Sequence, residues 1–389
     1  MNRLSSSVFI RPSLDKILHI VTHEVPWPAN YGGVFDLFYK IKALHEAGVQ
    51  IHLHCFRKNN EEADFLNRFC RTVHYYDRKP FTLNWPLRPY IVQCRRDHKL
   101  LDRLNADNHP ILFEGIHTTW ALHGLKNKNR SLHVRLHNVE SRYYRMLYKH
   151  QSFGLRKLYY WLESRLLHHW EKSLPVGLQY WAVSPEDVNR FKEINSPTSI
   201  FFLPVFLPWN EVKSASELGH FCLYHGNLSV NENAAVARWL LEKVFNDINV
   251  PLVIAGKDPS HELIALAHLR QHTCLVENPS DYELEDLIQK AQINVLPDFN
   301  ETGVKLKVMH ALYTGKHVLV NQQAAAGTGL SWNMQFPETA SAWKESIVEL
   351  FRKPFSENRI TDRKKMLDEI YRTDSNAQTL INALWSHDQ

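Results

Sequence analysis

The residues that most readily suggest chemistry are Lys305 and Lys307, one position apart, just behind a Thr302-Gly303 pair. Gly303 lets backbone approach a ligand closely. A helix predicted over Val304–Tyr313 would point its first unpaired N–H groups at the same spot. Cations there oppose the helix dipole by roughly 0.3–1 kcal/mol each. The arrangement therefore predicts a negative ligand, for which a nucleoside diphosphate is well suited; two solvated surface lysines are the plain alternative. A second group lies upstream. The apolar run Ile111–Phe113 leads into Glu114, Gly115 and His117, and the run Leu132–Leu136 leads into His137, Asn138 and Glu140. A histidine just past a strand's carboxyl end sits where open α/β sheets bind ligands, and it titrates near neutral pH. A third group closes the loop His23–Gly33, with Tyr31, Gly32 and Gly33 before a helix predicted over Val34–Ala47. The dinucleotide pattern Gly-x-Gly-x-x-Gly is absent from this loop, which argues against a nicotinamide dehydrogenase.

The elements that must hold these groups alternate along the chain. Strands are predicted at Ile17–Thr22, Ile51–Phe56, Ile111–His117, Leu132–Glu140 and Tyr180–Ser184, and again at Phe221–Gly226, Leu252–Gly256, Thr273–Glu277, Ile293–Leu296 and His317–Val320. Helical stretches are expected between them, among them Arg142–Lys172, Glu232–Val244, His261–Arg270 and Glu283–Lys290. Ser184 reads as an N-cap, with Pro185 opening the next helix and Asp187 at the capping-box position. Strand and helix in alternation imply parallel, doubly wound sheets. The segment Ser196–Trp209, with three prolines, reads as an interdomain linker. The last fifty or so residues read as helical, with Trp343, Ile347, Leu350 and Phe351 on one face. Residues 57–109 mix basic and aromatic clusters that no periodicity orders.

Composition sets the outer limits. A chain of 389 residues, 44% apolar and 12% aromatic, has material for two or three cores and is not a disordered tail. No run nears the ~18 apolar residues that span a bilayer, and residues 1–12 show no signal-peptide core. Five scattered cysteines without a Cys-x-x-Cys pair fit reduced thiols in a cytosol and argue against a zinc or disulfide framework. Charge is uneven: 29 Lys and Arg face 18 Asp and Glu through residue 205, leaving 17 against 23 beyond it. Within the basic half, Arg142–Lys172 interleaves Arg145, Lys149, Arg156, Lys157 and Arg165 with Tyr159, Tyr160, Trp161 and Trp170. Such a surface suits anionic lipid headgroups or a nucleic acid backbone, or it is a solvated helix with its rings turned inward.

Taken together, Gly32-Gly33, His137-Asn-Val-Glu140, Val183-Ser184 with Asp187, Gly226-Asn227 with Asn231 or Asn233, Ile254-Ala-Gly256, and Thr302-Gly-Val-Lys-Leu-Lys307 through Ala311 and Gly315 resemble the GT-B glycosyltransferases. The likeness is to the retaining, nucleotide-sugar-dependent family 4 group of bacterial polysaccharide synthesis, and it covers nearly the whole chain. It implies an α/β fold of two Rossmann-like domains facing a cleft: an acceptor domain over 1–205, a nucleotide-sugar domain over 206–370, and a helix over 371–389 returning to the first domain. It implies donor contacts at Gly226, Asn227, Gly256, Lys257, Glu277, Thr302, Gly303, Val304, Lys305, Lys307 and His310, and a phosphate loop at Tyr31, Gly32 and Gly33. Many such enzymes carry two glutamates eight residues apart where this chain has Thr302 and His310. The usual Arg and Lys after the second domain's first strand give way to Asn227 and its neighbours, so Lys305 and Lys307 take over their charge. His117 is then the residue facing the anomeric carbon, with Glu114 and His137 behind it. No cofactor and no metal is implied.

The expected activity is transfer of a hexose, with retention, to a saccharide or lipid-linked acceptor at the cytoplasmic membrane face, with peripheral contact to anionic lipid. A nucleotide-sugar epimerase of the same fold and a non-catalytic scaffold derived from a transferase are the competing readings. Nucleic acid is not an expected partner, since no recognised binding module is present.

Overall fold

Short apolar strands joined through helices satisfy their backbones by pairing in parallel, with the crossovers packed on both faces. A computed structural model describes residues 16–29, 32–59, 61–81, 88–269, 271–300, 303–332 and 336–386. The first domain runs β1 (Ile17–Thr22), α1 (Gly32–Glu46), β2 (Gln50–Arg57), β3 (Thr72–Asp77), α2 (Tyr90–Gln93), α3 (His98–Leu104), β4 (Ile111–Glu114), β5 (Leu132–Leu136), α4 (Glu140–His150), α5 (Leu155–Ser173), β6 (Gln179–Ala182), α6 (Pro185–Asn195) and β7 (Ser199–Phe202). The second runs β8 (Cys222–Asn227), α7 (Asn231–Trp239), β9 (Leu252–Lys257), α8 (His261–His268), β10 (Thr273–Glu277), α9 (Asp281–Lys290), β11 (Ile293–Val295), α10 (Leu306–Thr314), β12 (His317–Leu319), α11 (Gln322–Ala325) and α12 (Ala340–Phe351). Two helices follow, α13 (Glu357–Tyr371) and α14 (Thr373–Leu384).

The sheets are ordered β3-β2-β1-β4-β5-β6-β7 and β10-β9-β8-β11-β12, and their pairings are parallel. Strand order reverses direction between β1 and β4 and between β8 and β11. Loops leaving those strand pairs diverge and open a crevice at the carboxyl edge of each sheet. The loops that start at His23, Gly115, Leu228 and Leu296 are therefore the ones placed to hold ligands.

Several boundaries differ from the sequence reading, each for a local reason. β7 pairs with β6, so the first domain's last strand lies inside the segment read as linker; Pro197 and Pro204 flank it rather than interrupt it. Arg142–Lys172 is two helices, α4 and α5, broken at residues 151–154. α1 begins at Gly32, so Gly32 and Gly33 form its first turn. α7 passes at Leu240 into a single π turn ending at Val244. Ser184 accepts a hydrogen bond from the Asp187 N–H, capping α6 as its sequence suggested.

The chain crosses back at its end. Ala377, Leu380, Ile381 and Leu384 of α14 are buried in one cluster with Leu18, Ile20, Phe38 and Ile41 of the first domain. α13 instead places Leu367 and Tyr371 in the second domain's core. This strap is held by apolar burial, so Leu380→Ala is expected to cost about 2–5 kcal/mol, read as a lower urea midpoint. An unchanged midpoint would mean that α14 does not pack there in solution.

Candidate functional site

The first domain's half of the site is built on a buried ion network. Asp36 on α1 accepts from Lys40 Nζ at 2.9 Å, from Arg135 Nη2 at 3.1 Å and from the Phe206 N–H at 2.8 Å. Lys40 also lies 3.0 Å from Glu114, and Glu114 Oε2 lies 3.0 Å from His137 Nε2. Burial would raise the pKa of Asp36 and of Glu114. Arg135 and Lys40 for the first, and Lys40 and His137 for the second, outweigh it and hold both carboxyls below the ordinary range. Glu114 is fully buried and does not reach the cleft. It was expected among the catalytic groups and is instead the residue that holds His137. Asp36, Glu114 and His137 converge closely enough for a cation, but the Lys40 ammonium already meets both carboxylates.

In front of this network three imidazoles meet. His23, from the loop after β1, stacks on His117 at 5.0 Å between centroids and meets His137 edge-on at 5.4 Å. Burial, reinforced for His23 by His117 and for His117 by Arg95, holds both of these rings well below the usual histidine range. Gly115 carries φ +74°, and a Cβ there would come 2.7 Å from His117 Nδ1; glycine is what lets the ring lie against the backbone. Glu140, beyond Asn138, is pushed up to about 8 by burial and by Glu171.

The second domain supplies cations. α10 begins at Leu306, later than the sequence suggested, which puts Lys305 at the N-cap and Lys307 in the first turn. Both ammonium groups turn to one carboxylate, Asp298, at 3.7 and 3.3 Å. Burial lowers the pKa of each lysine. Lys307 Nζ also donates to Asn233 Oδ1 at 3.2 Å and lies 5.3 Å from the Tyr224 ring centroid. Asn233 in turn donates to the Asn227 carbonyl at 2.9 Å, tying the lysines to the turn after β8. Asp298 was not foreseen. Its backbone is clasped on both sides by the Asn321 amide, a long-range pairing that no local pattern announces.

The other expected donor residues divide. Gly226 and Gly256 sit side by side, and a Cβ on Gly256 would fall 2.0 Å from the Gly226 carbonyl. The Asn227 side chain folds onto its own turn, accepting from Ser229 N and Oγ. Lys257 is exposed at the end of β9, and Glu277 is exposed at the end of edge strand β10, with β9 and β8 between it and β11. Neither joins the lysine cluster. Val304 is half-buried beside Gly303. His310 stacks on Trp209 of the linker at 4.5 Å, 15° from parallel, and burial lowers its pKa to about 4. That ring is occupied by packing, a correction to its expected ribose contact. Tyr31 and Thr302 lie outside the described residues.

The two halves face each other. Gly303 has φ +69°, and a Cβ placed on it would lie 3.6 Å from Asn138 Oδ1 of the first domain. Beside that contact is a cleft of about 400 Å³, bordered by Ser184, Asp187 and Arg190 on one side and by Gly303, Gln322 and Gly327 on the other. Its lining carries Glu186 and Asp187 with Arg190, and none of Lys305, Lys307, His23, His117 or His137 borders it.

No family model matches the chain. An uncharacterized 44.6 kDa protein in the cps region of Klebsiella pneumoniae is 27% identical over 339 residues, which is 81% of this chain and 85% of that protein. Among solved structures, S. aureus TarM in complex with fondaparinux, α-GlcNAc-glycerol and UDP aligns with a TM-score of 0.66 at 10% identity, over 95% of this chain and 99% of that one. Anabaena HepE in complex with UDP-glucose gives 0.62 at 12% identity, over 95% and 99%. WaaG, a glycosyltransferase involved in lipopolysaccharide biosynthesis, gives 0.59 at 11%, over 94% and 99%. The fold is thus that of the GT-B glycosyltransferases, two Rossmann-like domains about a cleft, as the sequence resemblance implied.

The buried rings make stability depend on pH. His310 titrates near 6.5 in the unfolded chain and near 4 in the folded one, and His23 and His117 shift in the same direction. The unfolded state therefore binds more protons in this window. The rings' contribution is complete above about pH 6.5 and falls as pH drops towards 4, by up to about 1.4 kcal/mol per pH unit for each ring, offset in part by Glu140, whose raised pKa acts in the opposite sense. Urea midpoints at pH 7.5 and pH 5 check this: the second is expected to be clearly lower, and equal midpoints would contradict it.

Proposed function

We propose that the protein is a glycosyltransferase that binds a nucleoside-diphosphate sugar on its second domain and passes the sugar to a saccharide acceptor held on its first. The observation that carries this is the shared carboxylate. Lys305 and Lys307 both rest on Asp298, at the switch point of the second sheet and next to Gly303, which lies beside Asn138 of the first domain. A diphosphate entering there meets two ammonium groups, and its departure as a leaving group is assisted by them. Because lysines can supply that assistance, the proposed reaction needs no metal. We further propose transfer of a hexose with retention, His117 bordering the anomeric carbon and Glu114 acting through His137.

The partners of similar proteins support this reading. TarM was solved with UDP and HepE with UDP-glucose, and the Klebsiella relative lies in a cps region. A lipid-linked acceptor at the cytoplasmic membrane face is part of the proposal. The turn joining α4 and α5 and the first half of α5 bear exposed Phe153, Leu155, Leu158, Trp161 and Leu162 next to Arg156 and Lys157, a pairing that suits an anionic interface. No helix among the described residues is long and apolar enough to cross a membrane.

Replacing both Lys305 and Lys307 with Ala is expected to weaken UDP binding by about 2–3 kcal/mol or more, the scale of charge-assisted hydrogen bonds lost from a sheltered site. Titration calorimetry on the native and doubly substituted proteins measures it. Equal affinity for UDP and for other nucleoside diphosphates would overturn the donor site, and binding of a nucleotide sugar with no turnover would favour the scaffold reading.

A further inference from the structure

The first domain holds a second cationic centre, separate from the lysines. Arg95 is 5% exposed. It donates to the carbonyls of His23 and Ile91 and to the Cys94 sulfur, yet makes no ion pair among the described residues. A buried guanidinium is ordinarily matched by a carboxylate. Arg78, just after β3, also donates to the His23 carbonyl, at 2.8 Å, and pairs with Glu24 at 2.7 Å. Two guanidinium groups thus converge on one carbonyl with a single carboxylate in contact, and Arg78 Nε is buried without a hydrogen-bond partner.

The imidazoles in front of them are arranged consistently. His23 Nδ1 and His117 Nδ1 are both buried and unpartnered. A buried bare lone pair costs less than a buried bare N–H, so each neutral ring carries its proton on Nε2. Both rings are part-exposed while their Nδ1 atoms are not, so the edge bearing Nε2–H is the one that meets the cleft. The cleft wall here thus offers hydrogen-bond donors and positive potential. With two guanidinium groups against the one Glu24 carboxylate, the wall keeps a net positive charge and favours a group rich in acceptors.

We propose that the acceptor carries an oxyanion, phosphate or carboxylate, close to the hydroxyl that receives the sugar, and that His23 and His117, backed by Arg78 and Arg95, form its subsite. This rests on the proposed transfer reaction, because it names the acceptor's chemistry at the same cleft. Phosphate would arise from a lipid or polyol phosphate, and carboxylate from a uronic acid. The subsite is at the ends of β1, β3 and β4 of the first domain, whereas Asp298 and its lysines belong to the second, so donor and acceptor anions are held by different domains.

The test uses the full chain saturated with UDP, which fills the lysine site, and titrates it with inorganic phosphate and separately with glucuronate. Calorimetry reads affinity and histidine-ring NMR reads the site. The expected result is that one of the two anions binds alongside UDP and shifts the His23 and His117 ring signals. Arg78→Gln should weaken that binding by about tenfold or more, while Arg78→Lys, which keeps the charge, retains most of it. UDP affinity should be the same in all three proteins. The proposal is overturned if neither anion binds the UDP-loaded protein, or if Arg78→Gln binds it as the native protein does. Failure of the native chain to bind UDP would instead count against the donor reading, and the same anion titrations without UDP would still judge the subsite.

Discussion

Everything in the first domain's half of the cleft depends on one buried carboxylate. Asp36 gathers Lys40 from its own helix, Arg135 from β5 and the Phe206 N–H from the chain leaving β7. Arg135 extends the grip to the carbonyls of Leu203 and Pro204. Helix, sheet and interdomain connection are thereby fixed to one point. Removing a single member would leave an unpaired charge in the interior, which typically costs 3–5 kcal/mol. The apolar replacements that could stabilise such a site could not hold His137. Glu114 reaches His137 only because Lys40 neutralises it, so the same charges that secure the fold also orient the ring.

The second domain solves a different problem. It must keep two ammonium groups near one another, half-buried, without a ligand always present. Asp298 reduces their repulsion, Tyr224 offers a ring face to Lys307, and Asn233 links Lys307 to the turn after β8. Across the cleft, a Cβ at 303 would make ordinary contact with Asn138 Oδ1, and it is the positive φ of Gly303 that a larger residue would strain. The domains therefore meet at the position where a transferred group would have to pass.

The sequence carried the architecture well, because each strand is a short apolar run closed by a charged or glycine-bearing turn, and such runs have few other ways to pair. The positions of Lys305, Lys307, His117 and His137 at strand or helix ends were legible too, because that is a local property. It failed where partners are distant in the chain. Asp298 is acidic like forty others until Asn321 clasps it, and His23 looks like loop until its ring meets those of His117 and His137. Glu114 looked available because an acid past a strand is often exposed; Lys40, 74 residues away, seals it. His310 was expected at the ribose from the resemblance alone, and nothing local shows that Trp209 covers it.

The most direct test of the central claim is a structure of the protein with UDP bound. The account predicts the β-phosphate in the cleft, within hydrogen-bond distance of Lys305 or Lys307 Nζ, with at least one of those lysines turned from Asp298 toward the nucleotide. A complex in which both lysines keep their pairing with Asp298 while the nucleotide lies elsewhere would contradict it.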